Sequence, residues 1–450
     1  MKKILSLLLV VVMCLGVVSM AACDAVVQKT DEPETTELSA TAEPETTEPE
    51  LPATEPETTE PEPSTTEPEI PTMDVDIPSD IKVGLICLHD ENDPYDSSFI
   101  RTLLLTKAML GLLDEQVMIR TGVGENSDCY TTAVELADAG CDIVFADSFG
   151  HEPYMIAAAK ARPNTQFCHV SGTRAHTEGV ANYHNAYPAI YEGRYLTGVV
   201  AGYKLNQMIA DGEITAEQAV VGYVGAFAYA EVLSGLTAFY LGIRSVCPSA
   251  TMKVRFTGSW YDPSSEQQVA RALIENDHCV LLSQHTECLT VPAVCESLGV
   301  PNVAYNVNTV AVCPDTFLVA SVANWAAYYL YCILSVVEGE EIVTDWCGGI
   351  ADGAVMITDL NESLLPAGTA EAVAAVGARL IDGSLHVFDT SAFTVNGSAV
   401  TTYLADVDDD GTFTSETEVI SDGCFHESVY RSAPYFDLDI DGIEYLNRAY

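Results

Sequence analysis

The amino-acid sequence predicts an α/β fold of two lobes, each a parallel sheet with helices on both faces. Three observations predict it. Short apolar runs of strand length alternate with helix-length segments from Ile81 to Glu338, the pattern of a sheet built from crossover units. The alternation comes in two successive series, the second opening near Ala219. Aromatic and polar residues gather where strands end, and in open α/β sheets ligands bind beyond the carboxyl ends of the strands.

In the first series Lys82–Leu88 reads as a strand and Ser97–Leu113 as a helix. Gln116–Gly122 pairs with the helix Tyr130–Ala139, and Cys141–Asp147 with Glu152–Ala161. Thr165–Val170 is a further strand, and Ala189–Ala210 a long helix. The second series opens with the strand Ala219–Val224 and a helix over Ala230–Val246. A strand from Val254 then breaks into Gly258-Ser-Trp-Tyr-Asp-Pro263, followed by a helix to Asn276. Val280-Leu-Leu-Ser283 breaks into Gln284-His-Thr-Glu287 ahead of the helix Leu289–Leu298. Asn302–Asn306 and Thr316–Val322 are strands, and Asn324–Glu338 a helix. From about Gly353 the pattern is mixed, with a helix over Thr369–Leu380 and short strands around the Asn396-Gly397 turn.

The ends carry different signals. Lys2 and Lys3, an apolar run from Ile4 to Val18 and Met20-Ala-Ala-Cys23 form a secretory signal, too short for a comfortable membrane span. Cys23 directly after small residues resembles a bacterial lipobox, which implies a lipid on Cys23 and an anchored chain. Residues 24–78 repeat Glu-Pro-Glu-Thr-Thr units, a composition that cannot bury enough surface to order itself and reads as an acidic stalk. The expected divisions are 1–23 signal, 24–78 stalk, 79–205 first lobe and 206–322 second lobe. Residues 323–450 return a helix to the first lobe and end in a mixed part with an acidic loop.

A formal net charge of −47 argues against nucleic acid, whose phosphates need a basic face. It leaves neutral or cationic small molecules as the better partners. The chain has no Gly-x-Ser-x-Gly elbow, no His-Glu-x-x-His and no Gly-x-x-x-x-Gly-Lys loop, so no enzyme activity and no cofactor is expected. The twelve cysteines after the lipobox show no Cys-x-x-Cys pair, and Cys87, Cys168 and Cys279 sit in apolar runs as small hydrophobes. Asp406, Asp408 and Asp410 match the front of a calcium loop, but Thr417 stands where its final Glu belongs; a solvated acidic turn is the plainer reading.

The candidate ligand-binding residues lie at the strand ends. Trp260, Asp262, His285 and Glu287 come from the second series, together with Tyr261 and Thr286. Asp147 and Phe149 stand at the end of a strand expected to be central. Phe99 is either a stacking face or the first buried residue of its helix. Aromatic planes with a few polar groups suit a flat heterocycle, because stacking contributes on the order of 1–3 kcal/mol per base.

The segments Gly222-Tyr-Val-Gly-Ala-Phe-Ala-Tyr-Ala-Glu-Val232, Ala238-Phe-Tyr-Leu-Gly-Ile-Arg-Ser-Val-Cys-Pro248, Gly258-Ser-Trp-Tyr-Asp-Pro263, Ser283-Gln-His-Thr-Glu287 and Asn324-Trp-Ala-Ala-Tyr-Tyr329 follow one another in a telling order. With Tyr191-Glu-Gly-Arg-Tyr-Leu-Thr-Gly198 they resemble the basic membrane protein family, lipoprotein substrate-binding proteins of ABC importers related to bacterial purine nucleoside receptors. The resemblance covers about residues 80–390. It implies a type I periplasmic-binding-protein fold with three hinge crossings, an extracytoplasmic lipid-anchored location, an ABC permease as partner and a purine base or nucleoside as ligand. By position it implies that Trp260 stacks on the base, with Phe149 or Phe227 near the other face and Glu231, His285 and Asn308 in polar contact. Glu287 stands where the family usually has Asp, Asn306 and Asn308 where many relatives carry Asp, and Ile100 where nucleoside binders often have Asn. Fewer carboxylates for ribose leave a free base plausible. A sensing module of the same fold, an acidic surface adhesin and a hydrolase are the rival readings.

Overall fold

The computed structural model describes residues 72–408 and 415–448. The expected lipidation site Cys23, the stalk through residue 71 and Asp410 lie outside the described residues. The expected stalk end at 78 is corrected: Met73, Val75 and Ile77 pack on the first-lobe core, and Met73 N–H donates to Met109 O at 2.8 Å. Alternate apolar residues let this extended stretch bury one face.

The first sheet holds β1 (Val83–Ile86), β2 (Val117–Arg120), β3 (Ile143–Ala146), β4 (Gln166–Val170), β5 (Tyr183–Ala186) and β11 (Asp345–Trp346), in the order β11-β5-β4-β3-β1-β2. Its pairings are parallel, with Val83 opposite both Val117 and Ile143. The strand runs Val83–Ile86 and Ile143–Ala146 are buried on both faces, as a sheet covered by helices requires. The covering helices include α1 (Pro94–Leu110), α2 (Ser127–Asp138), α3 (Glu152–Ala161) and α4 (Ala175–Glu178). Helix α1 starts three residues before the expected Ser97. Asp93 caps it by accepting from Tyr95 N–H and Asp96 N–H, and Pro94 takes its first turn, the position where a missing N–H costs nothing.

The second sheet runs β12-β10-β9-β8-β6-β7-β17. Its strands are β6 (Val220–Gly225), β7 (Thr251–Phe256), β8 (Leu281–Gln284), β9 (Asn302–Tyr305), β10 (Phe317–Ala323), β12 (Val355–Ile357) and β17 (Ile443–Tyr445). Only β12 is antiparallel to its neighbour. The long helix α5 (Ile190–Ala210), expected at the end of the first lobe, packs instead into the second-lobe core beside α6 (Ala230–Val246). Gly198 and Gly242 make that contact possible, because a Cβ on either would stand 2.1 Å from a carbonyl oxygen of the facing helix. Around this sheet lie α7 (Pro263–Arg271), α8 (Thr290–Leu298) and α10 (Thr369–Ile381), while α9 (Ala326–Glu338) returns to the first-lobe core.

Three segments pass between the lobes: β5 into α5, β10 into α9, and β11 into β12. They are tied to one another by Ala189 N–H to Gly348 O at 2.8 Å and Asn324 N–H to Ala354 O at 2.8 Å. Residues 383–408 and 415–448 form an appendage with the short strands β13 (Leu404–Ala405), β14 (Thr417–Glu418), β15 (Ile420–Ser421) and β16 (Cys424–Phe425). Phe388, Phe425, Phe436 and Ile440 enter the second-lobe core, and β17 pairs in parallel with β7. On the other side Ser432 donates from N and Oγ to Asp345 Oδ1 at the edge of the first sheet, at 3.1 and 2.9 Å. No helix among the described residues is long and apolar enough to cross a membrane.

Candidate functional site

The carboxyl ends of β1 and β3 in the first lobe face those of β6, β7, β8 and β9 in the second. Each second-lobe strand ends in a turn that delivers one or two side chains. After β6, Phe227 and Tyr229 precede Glu231 in the first turn of α6. After β7, Gly258 at φ 76° lets the chain reverse, and its N–H donates to Ala226 O; this region suits glycine, which has no Cβ to clash. Trp260 follows, and its carbonyl accepts from Glu287 N–H at 2.9 Å. Gln284 Nε2 donates to Thr286 O and Cys288 O at 2.8 and 3.0 Å, so the His285–Glu287 loop is held by its own preceding strand.

Aromatic rings gather at the ends of the second-lobe strands. Phe227 and Tyr229 stack at 5.0 Å and 12°, and Trp260 meets Phe227 edge-on at 5.6 Å. His285 continues the row, 6.2 Å from Trp260 and 4.4 Å from Tyr305. Between the lobes is a small void lined by Pro94, Tyr95, Glu287, Tyr305, Asn306 and Val307. Tyr95 reaches it from the first lobe, its hydroxyl donating to Asp147 O at 3.0 Å. The cleft is closed: residues from both lobes line one void.

Its electrostatics are set by burial and by carboxyls. Burial pushes Glu287 up to about 8, with the fields of Asp93, Glu231 and Asp96 adding to it. His285 is driven down to about 4 by burial, then by Arg194, so it is a neutral imidazole at neutral pH. Its Nε2 lies 3.5 Å from Glu231 Oε1, longer than a good hydrogen bond, and its Nδ1 lies 3.4 Å from Tyr223 Oη.

Several expected site residues serve the framework instead. Phe99 is buried, 4.6 Å from Trp325 in a stacked pair and 4.9 Å from Tyr95; it backs Tyr95 from the first-lobe core rather than facing the cleft. Asp262 caps α7, accepting from Ser264 N–H and Ser265 N–H. Asn308 Oδ1 accepts from Val310 N–H in a local turn. Asp147 is wholly buried, with Oδ1 accepting from Leu88 N–H at 3.2 Å, and burial raises its carboxyl well above the usual range. Phe149 is 62% exposed on a turn that Glu125 holds by accepting from Ser148 Oγ and Gly150 N–H. Tyr95, Tyr229, Tyr305 and Asn306 were not among the expected residues. Asp93-Pro94, a helix-start signature, would have placed Tyr95 at a strand-end helix N-terminus. In the acidic loop, carboxylates of Asp406, Asp408 and Glu416 come within 4.8 Å of one another.

Two sheets closing strand-end loops on an aromatic, carboxyl-bearing cleft define a solute-binding protein. Residues 107–382 match the family model described as Bmp, the PnrA-like ABC transporter substrate-binding proteins, and the chain belongs to that family. Such proteins hand small solutes to an ABC permease outside the cytoplasm and are not enzymes. Over 267 residues the chain is 29% identical to a purine-binding protein of Brucella abortus, covering 59% of this chain and 71% of that one. It is equally 29% identical over 267 residues to a putative ABC transporter glucose-binding protein of Haloferax volcanii, of which it covers 64%. In structure it resembles an ABC transporter solute-binding protein from Conexibacter woesei, at a TM-score of 0.56 and 19% identity over 68% of this chain and 98% of that one. A transcriptional activator of the comK gene from Bacillus halodurans gives 0.57 and 18% over 68% and 99%. These two likenesses concern the fold.

Proposed function

We propose that this protein is a lipid-anchored receptor that captures a purine base or nucleoside outside the cell for an ABC importer. The observation that carries the reading is the cluster of Phe227, Tyr229 and Trp260 at the second-lobe strand ends, together with an inter-lobe void lined by Tyr305 and, from the other lobe, Tyr95. Flat rings opposite one another accept a flat heterocycle and gain stacking free energy on closure. Trp260 is assigned to the base, with Phe227 beside it and Glu231, His285 and Glu287 supplying polar contacts. The name of the Brucella relative supports the same ligand class. Anchoring through Cys23 fits a receptor that must stay near its permease. Closure is the working step: contacts from both lobes form together only in the closed state, so ligand shifts the population toward it.

Calorimetry of the folded protein, stripped of carry-over ligand, against adenine, hypoxanthine, guanosine, inosine and glucose tests the reading. Micromolar or tighter binding of a purine is expected. Silence toward all four purines, or binding of glucose alone, removes the purine assignment. Mass spectrometry of the amino-terminal peptide from the native membrane, expected to show a lipid on Cys23, tests the anchor.

A further inference from the structure

We propose that the cleft takes its ligand as a cation, a nitrogen heterocycle that is positively charged when bound, with Glu287 and Glu231 as its counter-charges. The inference rests on the reading of this cleft as the ligand site and narrows the class of molecule it holds. The void is lined by the Glu287 carboxyl, the Tyr95 and Tyr305 rings and Asn306, and by no Lys or Arg. Arg194 is fully buried over the Tyr305 ring. The Glu287 side chain accepts no hydrogen bond among the described residues, and Glu231, 28% exposed at its side chain, has only the neutral His285 as an ion-pair neighbour. Asn306 Oδ1 is buried without a partner, as is His285 Nε2. An ionised Glu287 offers the void acceptors only, beside the unpaired Asn306 Oδ1.

Closing the lobes makes the charge problem acute. Asp93 and Asp96 come from the first lobe, at the start of α1; Glu287, Glu231 and Glu266 come from the second. Asp93 and Asp96 already serve the backbone of their own loop and His89, whereas Glu287 faces the void. Burial is the first reason that Glu287 binds its proton above the ordinary carboxyl range, and the carboxyls that closure brings near, Asp93, Glu231 and Asp96, add to it. A cationic ligand replaces that proton as the counter-charge. Aromatic faces add to the attraction, because a cation over Tyr or Trp gains about 0.5–2 kcal/mol. Like charges on opposing lobes oppose closure, and a cation bridges them.

The test is calorimetry on the full chain and on Glu287→Gln, an isosteric change, with Glu231→Gln as a second variant should the first fail to fold. The probes are adenine, a neutral base at pH 6 that becomes a cation only by taking a proton from the site, 7-methylguanosine, which carries a fixed positive charge, hypoxanthine, urate as an anion, and thiamine as a cationic non-purine. At pH 6, 7-methylguanosine is expected to bind at least tenfold tighter than hypoxanthine, with urate silent. Glu287→Gln is expected to weaken the cations tenfold and hypoxanthine less than threefold. Hypoxanthine or urate binding as tightly as the cations would overturn the proposal while leaving purine capture standing. Silence of every purine with thiamine bound, and weakened by Glu287→Gln, would keep the cation and remove the purine. Silence of thiamine as well would sink both.

Discussion

The guanidinium carbon of Arg194 lies 3.9 Å from the centroid of the Tyr305 ring, so the helix that leaves the hinge pins one wall of the cleft. Arg194 is fully buried, and none of its three guanidinium nitrogens finds an acceptor among the described residues. Its neighbours are aromatic faces, Tyr305 and, at 5.9 Å, Tyr223. Such a contact contributes on the order of 2 kcal/mol when desolvated, yet a buried charge can often be replaced by an apolar side chain without loss of stability. Arg194→Met is therefore expected to keep or raise the melting temperature while weakening ligand binding about fivefold or more, as Tyr305 loses its anchor. Arg194→Lys, which keeps charge but loses the planar stack, is expected to melt lower. Thermal melts and calorimetry on both variants check this; a Met variant that binds ligand at full strength would show that packing alone holds the ring.

Trp260 is tied to its neighbour through the main chain, by Glu287 N–H to its carbonyl. Truncating its side chain should leave that loop in place and remove only the stacking surface. Trp260→Ala is expected to weaken purine binding by roughly 5- to 150-fold, the equivalent of 1–3 kcal/mol, with an unchanged circular dichroism spectrum. Trp260→Phe should recover part of the loss. Unaltered affinity in the Ala variant would move the base elsewhere in the cleft.

Asp345 joins the appendage to the first sheet: Oδ1 accepts from Ser432, and Oδ2 lies 3.1 Å from His176 Nδ1. The hydrogen bond to Asp345 raises the affinity of His176 for its proton, against the opposing effect of burial. A histidine whose folded value is raised contributes stability that is complete below its unfolded value, near 6.5, and is lost as pH rises through the higher folded one. Asp345→Asn should abolish that dependence and speed amide exchange around Ser432, measured by hydrogen–deuterium exchange, while β7 and β17 stay protected. Equal exchange in both proteins would mean that the apolar contacts of the appendage suffice to hold it.

Glu427 is buried and accepts from Tyr435 N–H at 2.9 Å; burial pushes its carboxyl up to about 8. The native state thus holds a proton that the unfolded chain releases near 4.3. Between those values stability falls as pH rises, by at most about 1.4 kcal/mol per pH unit for this group. Glu427→Gln is expected to flatten that part of the profile. Melting curves from pH 5 to 9 are the measurement, and parallel profiles for the two proteins would contradict the assignment.

The strands that are continuous apolar runs, such as Val83–Ile86 and Ile143–Ala146, were legible in the sequence. So were the helices other than α4, with α3 and α6 falling at the expected residues, and so was the family, because its segments keep their order. Strand β5 was not legible. Tyr183-His-Asn-Ala186 is polar yet buried, with His184 and the Asn185 amide N–H held at a distance by Val343 O, Gln166 and Glu152. Strands β11, β12 and β17 are two or three residues long and exist only because a sheet edge is already present for them to join.

Local sequence by itself determined which segments are strands, which are helices, and that rings and carboxyls collect at strand ends, since these follow from periodicity and turn chemistry acting over a few residues. Only the tertiary structure decided which of those side chains face the cleft. Glu287 reaches it, whereas Phe99 turns into the core and Asp262 caps a helix. The choice depends on how each turn is tied to loops far away in the chain, and on two lobes bringing Tyr95 and Tyr305, some 210 residues apart in sequence, around one void. Periodicity carries no record of either.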